Sequence, residues 1–250
     1  MAGAQAVPAP RIRPLGWALL AIRLAAMAVL LAVCVPLHLI THALIGGRFW
    51  PRLFLAGIGA VAGLNLRVEG RPERGALLLA NHVSWLDILA LANASGTAFV
   101  AHDGLAAFPF LKWLCDMNQT LFIARDRRET VADQASDLRD ALAQRPPFTL
   151  FPEGTTCDGT RILPFKSSLL AAIEPVPADL AVQPVALVYA DAPRVSWVGE
   201  EPGLDNFRRI LARLRPVHLT IRFLPPLASS DLANRKTIAA AAERAVAEVL

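Results

Sequence analysis

A histidine and an aspartate stand five residues apart in the segment Asn81-His82-Val83-Ser84-Trp85-Leu86-Asp87, directly after the apolar run 76–80. An alcohol is a poor nucleophile near neutral pH, and histidine is the side chain whose pKa suits it to remove the proton. A carboxylate on the other ring nitrogen fixes the tautomer and stabilises the imidazolium, as in a Ser-His-Asp triad with a substrate hydroxyl in place of the serine. The spacing restricts how such a pair is built. Five residues along one continuous helix leave the two side chains diverging by roughly 140°. They meet only if His82 lies in a strand-to-helix turn and Asp87 in the first helical turn, with Ser84 as the N-cap. The same letters have a second reading, because Ser84-x-x-Asp87 is also a capping box in which Asp87 serves only the helix start.

Three further clusters carry polar chemistry. Phe151-Pro152-Glu153-Gly154-Thr155-Thr156 follows an apolar strand. Proline ends the strand, glycine lets backbone approach a ligand, and a carboxylate with two hydroxyls suits a polar headgroup. A plain polar turn is the alternative. Phe122-Ile123-Ala124-Arg125 places an arginine just past a strand end, where its fork of donors suits phosphate. A solvated charged turn, continued by Asp126, Arg127 and Arg128, reads equally well. Lys166 precedes Ser167-Ser168 and an apolar segment, which gives either an anion site at a helix N-terminus or simple capping.

Other chemistries find little support. Gly57, Gly59 and Gly63 follow no strand, so they suit close helix packing and not a dinucleotide fingerprint. His38 and His42 lack the intervening glutamate of a zinc protease, and Cys157 lies in a turn-like segment. No G-x-S-x-G elbow and no Walker A occur. Cys34, Cys115 and Cys157 are widely spaced and odd in number, which argues against a disulfide framework or zinc knuckle and for a reducing compartment.

These residues must be held by a scaffold, and the pattern of the chain specifies one. Hydrophobic residues make up 54% of 250 and the net charge is +4, mostly from arginine. A basic excess of this size favours an anionic partner, whether a membrane surface, a phosphate-bearing substrate or a nucleic acid, without choosing among them. The basic stretch 204–214 lacks interleaved aromatics, so no nucleic-acid partner is expected. Residues 1–14 read as a disordered tail. Residues 24–47 contain no Asp, Glu, Lys or Arg, long enough to cross a bilayer. A second apolar stretch follows at 49–66, and the segment 15–65 reads as a membrane-associated helical anchor, as a hairpin or in one leaflet. A cleaved signal peptide is the rival, disfavoured by the length of the stretch. From 66 to 250 the pattern becomes α/β. Strands are expected at 66–69, 75–80, 97–101, 120–123, 148–151, 181–189 and 217–224. Helices are expected at 85–93, 105–116, 129–143, 167–173, 204–214 and 231–249. That alternation specifies a single domain with a largely parallel sheet flanked by helices, its site at the carboxyl ends of the strands.

Taken together, Asn81–Asp87, Phe122–Arg125, Phe151–Thr155 and the apolar block 182–185 around Pro184 resemble, in order, the four blocks of the glycerolipid acyltransferase family typified by bacterial 1-acyl-glycerol-3-phosphate acyltransferases. The resemblance spans roughly residues 66–190. It implies direct acyl transfer, with His82 as base and Asp87 orienting it. It implies Arg125 on the acceptor phosphate, and Glu153, Gly154, Thr155, Lys166 and Pro184 among the substrate-binding residues. It implies no metal or tightly bound cofactor, acyl-CoA or acyl-acyl carrier protein as donor, and the sn-2 hydroxyl of lysophosphatidic acid as acceptor. The implied setting is the cytoplasmic side of a bacterial inner membrane. Two positions depart from the family pattern. His102 stands where relatives often have lysine, and Ser167-Ser168 follows Lys166 where many have a basic residue and a glycine. Both bear on phosphate selectivity and leave glycerol-3-phosphate or a lyso-ornithine lipid as alternative acceptors. A hydrolase and a non-catalytic lipid-binding protein are the rivals from other classes.

Overall fold

The structure, a computed structural model, describes residues 12–45, 47–102, 109–123, 147–174, 176–177 and 180–250. Arg125 and the helix expected at 129–143 lie outside the described residues, as does most of the tail. The apolar N-terminus forms two helices, α1 (Pro14–Ile45) and α2 (Phe49–Val61). α1 is longer than the uncharged stretch, takes in Arg23 and continues through Pro36. Its span Pro14–His42 has mean hydropathy 2.6 and is long and apolar enough to cross a membrane.

Seven strands follow: β1 (Leu64–Glu69), β2 (Leu77–Ala80), β3 (Ala98–His102), β4 (Leu121–Ile123), β5 (Phe148–Leu150), β6 (Val182–Tyr189) and β7 (Val217–Phe223). All seven coincide with expected strands to within two residues. They make one sheet in the order β1-β7-β6-β2-β5-β3-β4, with every neighbouring pair parallel except β6 and β7. The reversal turns β7 and β1 around, so their first residues lie on the edge where β2, β5 and β6 end. Only Ala62 and Gly63 separate α2 from β1, so the anchor joins the domain at that edge.

β2 is buried along its whole length, as a parallel strand covered on both faces should be. Successive residues point to opposite faces. Leu78 and Ala80 join a core with Leu86, Leu89, Ile210 and Leu211, from helices α3 (Leu86–Ser95) and α5 (Gly203–Leu211). Leu77 and Leu79 join a second core with Phe148, Leu170, Ile238 and Ala242, under helix α6 (Arg235–Ala247). α4 (Pro109–Met117) coincides with the helix expected at 105–116, of which residues 105–108 lie outside the described residues. α6 begins at 235 and not 231, because Asn234 and Thr237 form a reciprocal capping box there.

Arginines fasten the anchor to the domain by taking carbonyls at helix ends. Arg23 of α1 donates to Leu211 O at 2.9 Å, in the last residue of α5, and to Arg213 O at 3.0 Å just beyond it. Arg48, preceding α2, donates to Gly96 O at 2.6 Å and Asn118 O at 3.1 Å, beyond α3 and α4. Cations at helix C-termini gain both a hydrogen bond and the favourable end of the peptide dipoles.

Candidate active site

His82 lies in the turn between β2 and α3, and Asp87 is the second residue of α3. This is the arrangement that five-residue spacing demands, and the two side chains meet: His82 Nδ1 lies 2.8 Å from Asp87 Oδ2. The same oxygen accepts the backbone N–H groups of Val83 at 2.6 Å and Ser84 at 2.9 Å. The other oxygen accepts the hydroxyl of Tyr189, at the carboxyl end of β6. Asp87 therefore bonds both the start of the helix and the imidazole. Ser84 is not the N-cap. The helix begins after Trp85, and Asp87 reaches back to the Ser84 amide.

Asp87 is fully buried, whereas the His82 side chain keeps 19% exposure. A carboxylate can only accept, so the Nδ1 nitrogen carries the proton and Nε2 is left as the basic nitrogen. The ring stacks on Phe151, with centroids 4.1 Å apart and planes at 17°. Backbone bonds pin the turn on both sides: Cys157 N to His82 O at 2.7 Å, and Trp197 N to Val83 O at 3.0 Å. Asn81 ties the end of β2 to β6, donating to Leu187 O at 3.1 Å and accepting Leu187 N at 2.7 Å.

Glu153 is brought to the same place. It is buried, and Oε1 accepts the His82 backbone N–H at 3.4 Å. Burial pushes its carboxyl up to about 7, against the pull of that N–H. Gly154 turns the chain with φ of 68°, a left-handed conformation that glycine adopts freely. Thr155 is exposed beside it. Cys157 is buried, and burial with the neighbouring Glu153 pushes its thiol up to about 12, so it is no nucleophile near neutral pH.

Two expected site residues are placed differently. Lys166 is exposed, and its backbone N–H holds the motif turn through Pro152 O at 2.8 Å. The segment after it, Ser167–Ile173, is a 3-10 helix and not an α-helix. Seven residues of this kind do not sum the peptide dipoles that an α-helical anion site relies on. Pro184 is buried inside β6 level with Leu79, in the sheet and not at its rim. Its carbonyl takes Leu224 N at 3.0 Å, and its missing N–H falls beyond the end of the β7 pairing at Phe223.

Tyr189 and the stacking role of Phe151 were not read from the sequence. The available signal for Tyr189 was that it is the chain's one tyrosine, placed at a strand's carboxyl end. An apolar cavity of about 230 Å³ lies between the anchor helices and the domain, lined by His38, Phe54, Trp85, Phe99 and Leu114 among others. Phe99 lies parallel to Phe151 with centroids 6.3 Å apart, so aromatic rings lead from His82 to the cavity.

Residues 65–188 match the family model described as Acyltransferase. The chain is 37% identical over 244 residues to the lyso-ornithine lipid O-acyltransferase of Rhodobacter capsulatus, covering 91% of this chain and 88% of that protein. It is 34% identical over 140 residues to the 1-acyl-sn-glycerol-3-phosphate acyltransferase of Neisseria gonorrhoeae, 54% of each chain. The crystal structure of the 1-acyl-sn-glycerophosphate acyltransferase of Thermotoga maritima shares the fold, with a TM-score of 0.62 over 93% of this chain and 95% of that one at 20% identity. A histidine–carboxylate pair at the rim of this sheet, on a chain so matched along nearly its whole length, makes the protein a member of the acyltransferase family.

Proposed function

We propose that this enzyme transfers a fatty acyl group from a thioester donor, acyl-CoA or acyl-acyl carrier protein, to the hydroxyl of a lysolipid held in the membrane. The observation that carries this reading is the 2.8 Å bond between His82 Nδ1 and Asp87 Oδ2, which leaves Nε2 free as a base at the sheet rim. Nε2 takes the acceptor's hydroxyl proton as that oxygen attacks the thioester carbonyl. The C–O ester bond forms, the C–S bond breaks, and the proton passes from Nε2 to the departing sulfur. Asp87 stabilises the imidazolium meanwhile. Glu153, Gly154 and Thr155 position the acceptor, with Arg125 as its anion ligand. The apolar cavity beyond Phe99 takes hydrocarbon chain.

The acceptor favoured is a lyso-ornithine lipid. Relatives of that name in Rhodobacter capsulatus and Brucella abortus align over 91% and 81% of this chain. The exposed setting of Lys166, ahead of a 3-10 helix and not an α-helix, also fits a headgroup without phosphate. The second reading, the sn-2 hydroxyl of lysophosphatidic acid giving phosphatidic acid, is supported by the Neisseria relative and by the Phe151–Thr155 block. The exposed apolar stripe of α1 suits attachment to a bacterial inner membrane, with the domain on the cytoplasmic side.

Purified enzyme assayed against both acceptors with both donor types, with lipid products identified by mass spectrometry, separates these readings. Acylation of only lysophosphatidic acid reverses the order of preference, and free fatty acid without acylated lipid makes the enzyme a hydrolase. His82→Ala should lose at least ~10²-fold in rate with folding intact. Turnover near wild type would remove His82 as base.

A further inference from the structure

β6 runs four residues past the level at which Val185 pairs with Ala80, so Tyr189 stands out beyond the end of β2. β7 enters beside it, with Tyr189 opposite Leu219 and Ala190 N bonded to His218 O at 3.1 Å. Between the two strands and the segments flanking them lies a second cavity of about 310 Å³, lined by Tyr189, Asp191, Arg213, Arg215 and His218 among others. That volume sits at the lower end for small-molecule sites, room for a phosphate group and the atoms attached to it.

Its lining is cationic. Asp191 is the acidic member, and its carboxylate lies 3.4 Å from Arg213 and 3.6 Å from Arg194. Two arginines thus share one carboxylate, and the exposed Arg215 adds a further cation to the lining. The Arg213 side chain is only 16% exposed, and its Nε is buried with no hydrogen-bond partner among the described residues. A desolvated guanidinium with spare donors binds an anion more strongly than a surface charge does. The cavity is also linked to the His82–Asp87 pair, because Tyr189, one of its lining residues, bonds Asp87 through its hydroxyl.

We propose that this cavity is a phosphate-ester site serving the reaction centre. Two ligands of the reaction present that group: the carrier arm of the thioester donor and the headgroup of an anionic lipid. The choice between them rests on the acyl-transfer reading, whereas the anion site itself does not.

The test uses the full-length protein in detergent and in vesicles, with Arg215→Gln/His218→Gln as a double variant of two exposed positions. Adenosine 3′,5′-bisphosphate, the nucleotide end of coenzyme A with two of its three phosphates, is the first probe, followed by calorimetry. If the donor is the source, wild type binds it and the variant binds about tenfold more weakly, the size of one charge-assisted hydrogen bond, with a matching rise in KM for acyl-CoA. If the source is lipid, the nucleotide does not bind, but wild type prefers vesicles containing phosphatidylglycerol over pure phosphatidylcholine, and the variant loses that preference. Either result supports the site. A folded variant that matches wild type with both probes overturns it. Because nucleotide and vesicle binding need no turnover, absence of acyl transfer would sink the functional reading while leaving this one to stand or fall separately.

Discussion

One oxygen of Asp87 holds the His82 ring and two amides of the turn, and the other is taken by the Tyr189 hydroxyl. Tyr189→Phe removes a hydrogen bond to a buried charged acceptor, so stability should fall by about 1.5–3 kcal/mol, read by denaturant unfolding in detergent. Activity should drop less than for His82→Ala, since Tyr189 acts only through Asp87. Glu153 makes a different prediction. Its folded carboxyl is raised to about 7 from 4.5, so between those values the unfolded chain releases the proton while the folded chain keeps it. Stability therefore declines as pH rises through that window and is flat above it, a loss on the order of 1–3 kcal/mol. Glu153→Gln should flatten the slope, measured as melting temperature against pH, and an unchanged slope would show that another group titrates there. The His82–Asp87 pair was legible in the sequence because both residues belong to one short turn whose geometry the spacing constrains. Tyr189 was not, because it comes to Asp87 from 102 residues away through sheet pairing.

The elements that hold the site depend on how α3 ends as much as on how it begins. Gly96 closes α3 in the left-handed region with φ of 64°, its carbonyl taken by Arg48. A Cβ there would lie 2.4 Å from the Arg52 guanidinium carbon. Gly96→Ala should destabilise by about 1–3 kcal/mol, seen as a lowered melting temperature, because strain and a displaced arginine act together. Strands were the most legible elements, since short apolar runs such as Leu77–Ala80 fill both faces of a parallel sheet. The antiparallel step between β6 and β7 was not legible, as periodicity carries no strand direction. Nor was the 3-10 form of Ser167–Ile173, whose apolar letters suit either helix type.

Across the whole molecule, α1 presents Leu15, Ile22, Val29, Val33, Ile40 and Leu44 outward, while Leu20, Cys34 and His38 are buried against the domain. Steps of four and seven residues line these outward side chains along one face, a surface suited to lying in lipid. Ile22→Glu/Ile40→Glu should release the enzyme from vesicles in flotation assays and leave its melting temperature nearly unchanged, because both positions are 60% exposed or more. Loss of folding instead would mean the stripe is needed for packing. The N-terminal helices were visible in the sequence as apolar runs, but their attachment was not, since that depends on single arginines reaching carbonyls far along the chain. The two-residue link from α2 into β1 at the catalytic edge carries a kinetic corollary. So short a link, with Arg23 and Arg48 bonded across to the domain, holds the rim of the sheet beside the two N-terminal helices. On the proposed membrane seating, acceptors arrive by lateral diffusion, and turnover should follow their mole fraction in the bilayer, diluting with added inert lipid even when the total amount per volume is held constant.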